Sequence, residues 1–181
     1  MTRAPSPRPA RSVRHLGPRP GPRYIVRISP VHGRGLFAAR RIRPGVRIIE
    51  YTGERLDDAE VDARYDESAA EDPHTLLFRT GPHSVIDASV GGNAARFVNH
   101  SCRPNCETRQ EGDRIFIFAI RNIQPGVELT YDYSLEIEAG HSAARARAYA
   151  CRCGAPRCRG SMLERRPAPR RRRGRVRRGA K

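Results

Sequence analysis

Lysine is almost absent from this sequence: 34 arginines stand beside a single lysine, Lys181. Acid is absent from both ends. Residues 1–23 carry six Arg and no Asp or Glu, and residues 165–181 carry nine Arg, Lys181 and again no acid. These sixteen basic residues equal the whole formal net charge of +16, so residues 24–164 balance to zero. The basic character belongs to two tails and not to the body. Six of the first 23 residues are also Pro. Segments of this composition bury too little apolar surface to offset chain entropy, so both tails are expected to be disordered. Arg-rich tails contact nucleic-acid phosphates by counterion release, without reading sequence. The alternative is that they only solubilise a chain biased towards arginine.

Long apolar runs are missing too. No stretch approaches the roughly 20 residues that cross a bilayer, and no signal-peptide core follows Met1. The expectation is an intracellular protein without a membrane partner, associated with a nucleus or chromosome or lying in a bacterial cytoplasm. A secreted effector finds no export signal to support it. In such compartments thiols stay reduced. Strands do not alternate with long helices, which argues against a doubly wound sheet. Oligomeric state is not legible.

The body, by contrast, is rich in short β-prone runs. YIVRI, VRIIEY, the two halves of TLLFRTGPHSVIDAS, and IFIFAI read as strands. RPGV at 43–46 and QPGV at 124–127 read as matching turns. LDDAEVDARYD reads as one short helix, and EIEAGHSAARARAYA has helical composition. The fold class is therefore mainly β.

Three groups of residues carry chemistry. In CRCGAPRC, Cys151, Cys153 and Cys158 can reach one ion from a loop bent by Gly154 and Pro156. Zinc bound by Cys prefers four ligands in a tetrahedron. The fourth must come from Cys102 or Cys106, the two cysteines left; the alternative is a disulfide or free thiols. In HGRGLF, Gly33 and Gly35 let backbone approach a ligand closely, although, taken alone, they are better explained by a plain tight turn. In ELTYDY, Tyr131 and Tyr133 share one face of a strand, and Tyr51 in EYTGE makes a cluster of phenols conceivable.

Together HGRGLF, EYTGE, IDA with GGNAARFVNHSC, ELTYDY and CRCGAPRCRGSML, in this order, resemble the SET domain family of protein lysine methyltransferases with a post-SET cysteine motif. The resemblance covers about 24–164. It implies a SET domain over 24–145, built of several small sheets (the β-clip type) around a knot-like crossing, and a zinc-bound segment over 146–164. Residues 1–23 and 165–181 flank these as tails. It implies S-adenosylmethionine as methyl donor and zinc as structural metal. By position, Gly33, Arg34 and Gly35 would line the cofactor, Arg96, Asn99 and His100 would hold it, and Leu163 would pack near its adenine. Cys102 would be the fourth zinc ligand, leaving Cys106 as the spare thiol. Tyr133 would be the catalytic tyrosine and Tyr51 would line the lysine channel. Tyr131 would tune how many methyls are added, favouring mono- or dimethylation. The implied substrate is a basic protein such as a histone.

Two features depart from the pattern or extend it. Leu76 stands where many relatives carry an aromatic residue. Residues 57–75 carry eight acids, which suit a basic peptide or a merely solvated helix face. The competing function is a non-catalytic chromatin- or nucleoid-binding module with nucleic-acid-binding tails. Retention of Tyr51, Asn99, His100 and Tyr133 argues against it, because a pure binder needs none of them.

Overall fold

The computed structural model describes residues 21–65, 76–136 and 147–164. Most of both basic tails, the second half of the acidic insert and most of the EIEAGHSAARARAYA stretch lie outside these residues, as does the boundary expected near 145.

Where the sequence shows β-branched and aromatic runs, strands form. They are β1 (Tyr24–Ile28), β2 (Arg34–Ala38), β3 (Arg47–Tyr51) and β4 (Glu54–Leu56). Helix α1 (Asp58–Arg64) follows. Then come β5 (Leu77–Gly81), β6 (Ser84–Asp87), the two-residue β7 (Asn99–His100), β8 (Cys106–Glu111), β9 (Arg114–Ala119) and β10 (Thr130–Tyr131). The fold is mainly β, as expected.

These strands make several small sheets. β1 and β2 form an antiparallel hairpin. β9 is central between β3 and β8, and β6 is central between β4 and β5. β7 and β10 pair in parallel, Thr130 with Asn99 and Tyr131 with His100. Parallel neighbours need a long connection between them, and here some thirty residues separate the two strands. This pairing lays the NHSC segment beside the segment that precedes Tyr133. Asn105 reinforces it: its side-chain amide donates to the Glu128 carbonyl at 2.7 Å, and its side-chain oxygen accepts from the Thr130 N–H at 2.9 Å.

The core is continuous and aliphatic, with Leu36, Ile42, Ile86, Val98, Ile115, Ile117, Ile123 and Leu129 almost fully covered. The two Pro-Gly turns are true counterparts. Gly45 and Gly126 have φ of 78° and 81°. Proline followed by a glycine at positive φ is the type II pattern. Just before each turn, Ile42 and Ile123 exchange backbone hydrogen bonds at 2.9 Å, so the two turns lie side by side.

Helix α1 is capped by its own acids. The Asp57 carboxylate accepts from the Glu60 N–H, and the Glu60 carboxylate accepts from the Asp57 N–H, both at 2.8 Å, a capping box. Asp58 pairs with Arg79 and His83. Three of the acids that suit either a basic peptide or a solvated helix face are thus engaged within the chain, while Asp66, Glu67, Glu71 and Asp72 lie outside the described residues.

Candidate functional site

A pocket of about 730 Å³ opens where the β1–β2 loop, the 3-10 turn Ala94–Phe97, β7 and the cysteine segment meet. Gly33, Arg34, Arg96, Asn99, His100 and Tyr133 all line it. Six of the residues expected at the cofactor or at catalysis therefore come together, although they span a hundred positions of sequence.

The parallel pairing of β7 with β10 sets this geometry. It brings Tyr133, just past β10, onto His100: the Tyr133 N–H donates to His100 Nδ1 at 3.0 Å, and the rings meet edge to face at 5.4 Å. Because Nδ1 accepts, the neutral ring carries its proton on Nε2, which faces Cys102 Sγ at 3.4 Å. Burial pushes the His100 imidazole down to about 4, against the opposing pull of Asp132. Its ring is thus committed to Tyr133 and Cys102, leaving its backbone for any ligand. Asn99 is similarly engaged. Its amide donates to Glu128 Oε1 at 2.7 Å and to the carbonyls of Arg34 and His32 at 3.1 and 3.3 Å. It fastens the glycine loop to the body.

Gly33 and Gly35 turn out to serve different ends. Gly33 has φ of 48°, which glycine adopts freely, and open space where a side chain would go. Gly35 is not a pocket residue; a Cβ there would collide with the Glu128 carboxylate. The second glycine lets Glu128 reach Asn99 and Ser29. The Arg34 and Arg96 guanidinium groups both stack on Phe97, 4.3 and 5.1 Å from its ring centre.

Tyr133 belongs to a cluster of three phenols. Its ring lies 4.8 Å from that of Tyr131, and its hydroxyl donates to the Val98 carbonyl at 2.9 Å. The Tyr51 hydroxyl donates to the Leu76 carbonyl at 2.7 Å, and its ring packs on Phe78. Burial, then the neighbouring phenols, holds Tyr51 and Tyr131 well above the usual phenol range; burial and then Glu128 do the same for Tyr133. All three remain protonated at neutral pH. They can orient an amine but do not accept its proton. Leu76 lines the pocket, so one wall is aliphatic.

The cysteine segment closes the other side with Arg147, Ala150, Cys151, Arg152 and Met162. Leu163 is buried, in a β-bridge with Leu135, and is not among the residues that line the pocket, whereas its neighbour Met162 is. The Sγ atoms of Cys102, Cys151, Cys153 and Cys158 all lie within 4.8 Å of one another. Cys102 Sγ is 3.7 Å from Cys151 Sγ and 3.8 Å from Cys158 Sγ. Zinc–sulfur bonds of about 2.3 Å in a tetrahedron separate the sulfurs by about 3.8 Å. Backbone N–H groups of Cys102, Cys153, Arg159 and Gly160 point at these sulfurs from 3.3–3.5 Å, as thiolate ligands require. The cluster fits a metal ion. Burial instead pushes the Cys106 thiol up to about 12, so it is inert.

Three functional candidates escaped the sequence reading. Asp87 accepts from Arg64, Tyr65 and Ser89 with its carboxylate fully buried beside the pocket. Its signal was an acid inside the apolar run SVIDA. Glu128 had the signal of an acid just before the buried Leu129. Arg159 pairs with Asp132, and no local pattern announces that contact.

The family model described as SET domain matches residues 33–134. Histone-lysine N-methyltransferase 2B of Homo sapiens is 44% identical over 135 residues, covering 72% of this chain and 5% of that protein. Histone-lysine N-methyltransferase trr of Drosophila melanogaster is 39% identical over 140 residues, 75% of this chain and 6% of that protein. The H3 lysine-4 specific histone-lysine N-methyltransferase of Schizosaccharomyces pombe is 42% identical over 139 residues, 74% of this chain and 14% of that protein. The chain thus spans only 5–14% of the length of these relatives.

Proposed function

Because this chain belongs to the SET domain family, we propose that it is an S-adenosylmethionine-dependent protein-lysine N-methyltransferase acting on a histone or another basic protein. The observation that carries the reading is the meeting of Asn99, His100 and Tyr133 in one pocket, with Tyr131 packed beside Tyr133 and Tyr51 close enough to both to interact electrostatically.

S-adenosylmethionine supplies a methyl already activated on a sulfonium. The pocket suits such a donor: its volume falls in the small-molecule range, and Arg34 and Arg96 offer cationic partners for a carboxylate. The residues then have two tasks. The acceptor amine must arrive neutral, although free lysine has a pKa of about 10.4. The aliphatic wall at Leu76 and phenols that carry no charge disfavour the ammonium form. The second task is alignment, where fixed geometry lowers barriers by ~7–11 kcal/mol in favourable cases. Tyr133, tied to Val98 and His100, is placed for it, and Tyr51 lines the lysine side. Tyr131 limits addition to one or two methyls; Tyr131→Phe is expected to raise the trimethylated fraction in mass spectra of the product.

Zinc held by Cys102, Cys151, Cys153 and Cys158 would join the cysteine segment to the body. The Arg-rich tails would hold the enzyme near nucleic acid, and so near chromosomal substrates.

The test is transfer of labelled methyl to core histones, with Tyr133→Phe as control and zinc measured on both proteins. Label that appears with the natural chain and vanishes with Tyr133→Phe supports the enzyme. No label from a folded, zinc-loaded chain would favour the non-catalytic chromatin module. Lys181 is the only lysine, so labelling of the chain itself is confined to Lys181 and the α-amine.

A further inference from the structure

Asp132 lies between the two phenols of ELTYDY, and its carboxylate joins the turn after Tyr133 to the cysteine segment. Its Oδ1 accepts from the Ser134 N–H at 3.1 Å. Ser134 has φ of 44°, the positive non-glycine φ recorded among the described residues, and the turn immediately follows Tyr133. Short polar side chains stabilise such turns by bonding the backbone two residues on. Oδ1 also lies 3.6 Å from His100 Nδ1. Finally, both carboxylate oxygens accept from Arg159, Nη1 to Oδ2 and Nη2 to Oδ1, each at 2.6 Å.

Arg159 is the residue after Cys158, so it rides on the cysteine segment. Its backbone N–H points at Cys102 Sγ at 3.4 Å, and Nη2 reaches the Met162 carbonyl at 3.3 Å. Only 12% of the side chain is exposed. Its Nε is buried without a hydrogen-bond partner, a cost that the two-pronged pair must outweigh. A parallel, two-bond contact fixes orientation as well as distance, which a single lysine contact does not. Cys151 and Met162 of the same segment line the pocket.

We infer that Arg159 is a positioning residue: through Asp132 it sets the cysteine segment over the cofactor pocket and against the turn that carries Tyr133. The thiols, Cys102 of the body among them, gather the segment at one point; Arg159 fixes its orientation there. The kinetic part of this assignment rests on the methyltransferase reading, while the seating itself does not.

The experiment uses the full chain as Arg159→Met, Arg159→Lys, Asp132→Asn and the double variant Arg159→Met with Asp132→Asn. Asparagine keeps the acceptor for Ser134 but gives up the charge. Zinc content should stay at the natural value in all of them. KM for S-adenosylmethionine should rise about tenfold in Arg159→Met while kcat falls by less than about threefold. A purely structural loss would instead shrink the active fraction, lowering kcat at constant KM. Arg159→Lys should recover only part of the loss. The double variant should be no worse than the poorer single variant, because both break one contact. Trypsin supplies a second readout, since Arg147, Arg152 and Arg157 are exposed on the segment. Cleavage there should quicken about tenfold in Arg159→Met and in Asp132→Asn, as local opening becomes easier. Natural cleavage rates and natural KM in Arg159→Met would overturn the assignment, and so would losses that add in the double variant. If the natural chain transferred no methyl, the enzyme reading would fall, and the cleavage rates would still decide the seating.

Discussion

The body and the cysteine segment are held by different physics. In the body, buried hydrophobic side chains from Leu36 to Tyr131 form one continuous cluster. In the described residues of 147–164, Leu163 alone joins the buried hydrophobic side chains. That segment depends on four thiols, the Arg159–Asp132 pair and a few backbone bonds, such as Cys151 N–H to the Gly160 carbonyl at 3.0 Å. Apolar burial is non-directional and tolerates substitution in proportion to volume lost. Metal and charge contacts are directional and fail when one partner goes. A pocket built between two such regions can be stable on one side and separately controlled on the other.

The largest expected effect exploits that contrast with a pair of variants. Cys102→Ser removes the one ligand that the body contributes. Zinc content and methyl transfer should both collapse, while the main unfolding transition moves little. Ile117→Ala, at a residue with no exposure in the central strand β9, should do the reverse. It should cost roughly 2–5 kcal/mol in denaturant unfolding and leave zinc content unchanged. If Cys102→Ser unfolded the body as well, the division between the regions would not stand.

A smaller effect probes the place where the body breaks its own rule. Asp87 is a fully buried carboxylate on β6, surrounded by donors from Arg64, Tyr65 and Ser89. Burial alone would raise its pKa, but the bonds from Ser89, Tyr65 and Arg64 win and hold it at about 2. A carboxylate depressed in the folded state stabilises the fold above its unfolded value near 3.9 and loses that contribution as pH falls towards 2. The amount is roughly 2–3 kcal/mol. Asp87→Asn places an amide donor among donors and should destabilise the chain by roughly 2–5 kcal/mol at pH 7. It should also flatten the stability profile between about pH 4 and pH 2. An unchanged acid limb in the variant would assign that limb to other carboxylates.

How much of this was legible in the sequence follows the same divide. Strands made of β-branched and aromatic runs, such as YIVRI and IFIFA, and the paired Pro-Gly turns were readable because each signal is local. β8 was not: CETRQE is polar, and its one fully buried residue is Cys106. It is a strand because β9 pairs with it along its whole length. The pocket-lining residues were readable as motifs, but their partners were not. Spacing could not say that the His100 ring would serve Tyr133 and Cys102, or that Met162 rather than Leu163 would face the pocket. Nor could it say that Gly35 makes room for Glu128. Each of these contacts closes a loop of many residues, and local pattern is silent on which loop closes.

The smallest expected effect sharpens the comparison by placing like chemistry in both regions. The Arg114–Glu50 pair on the body has the same two-bond form as Arg159–Asp132. The Arg114 side chain, however, is 55% exposed and stacks on Phe116, part of a row of arginines over β9. Hydrogen bonding by Arg114 lowers the Glu50 pKa, but water and salt screen an exposed pair of this kind. Glu50→Gln should therefore leave melting temperature, zinc content and methyl transfer indistinguishable from the natural chain, at low salt and at 0.5 M salt alike. If Glu50→Gln instead loosened the cysteine segment or weakened cofactor binding, charge would act across the body as it acts in the segment. The distinction between a body held by burial and a segment held by directed bonds would then have to be redrawn around the arginine row.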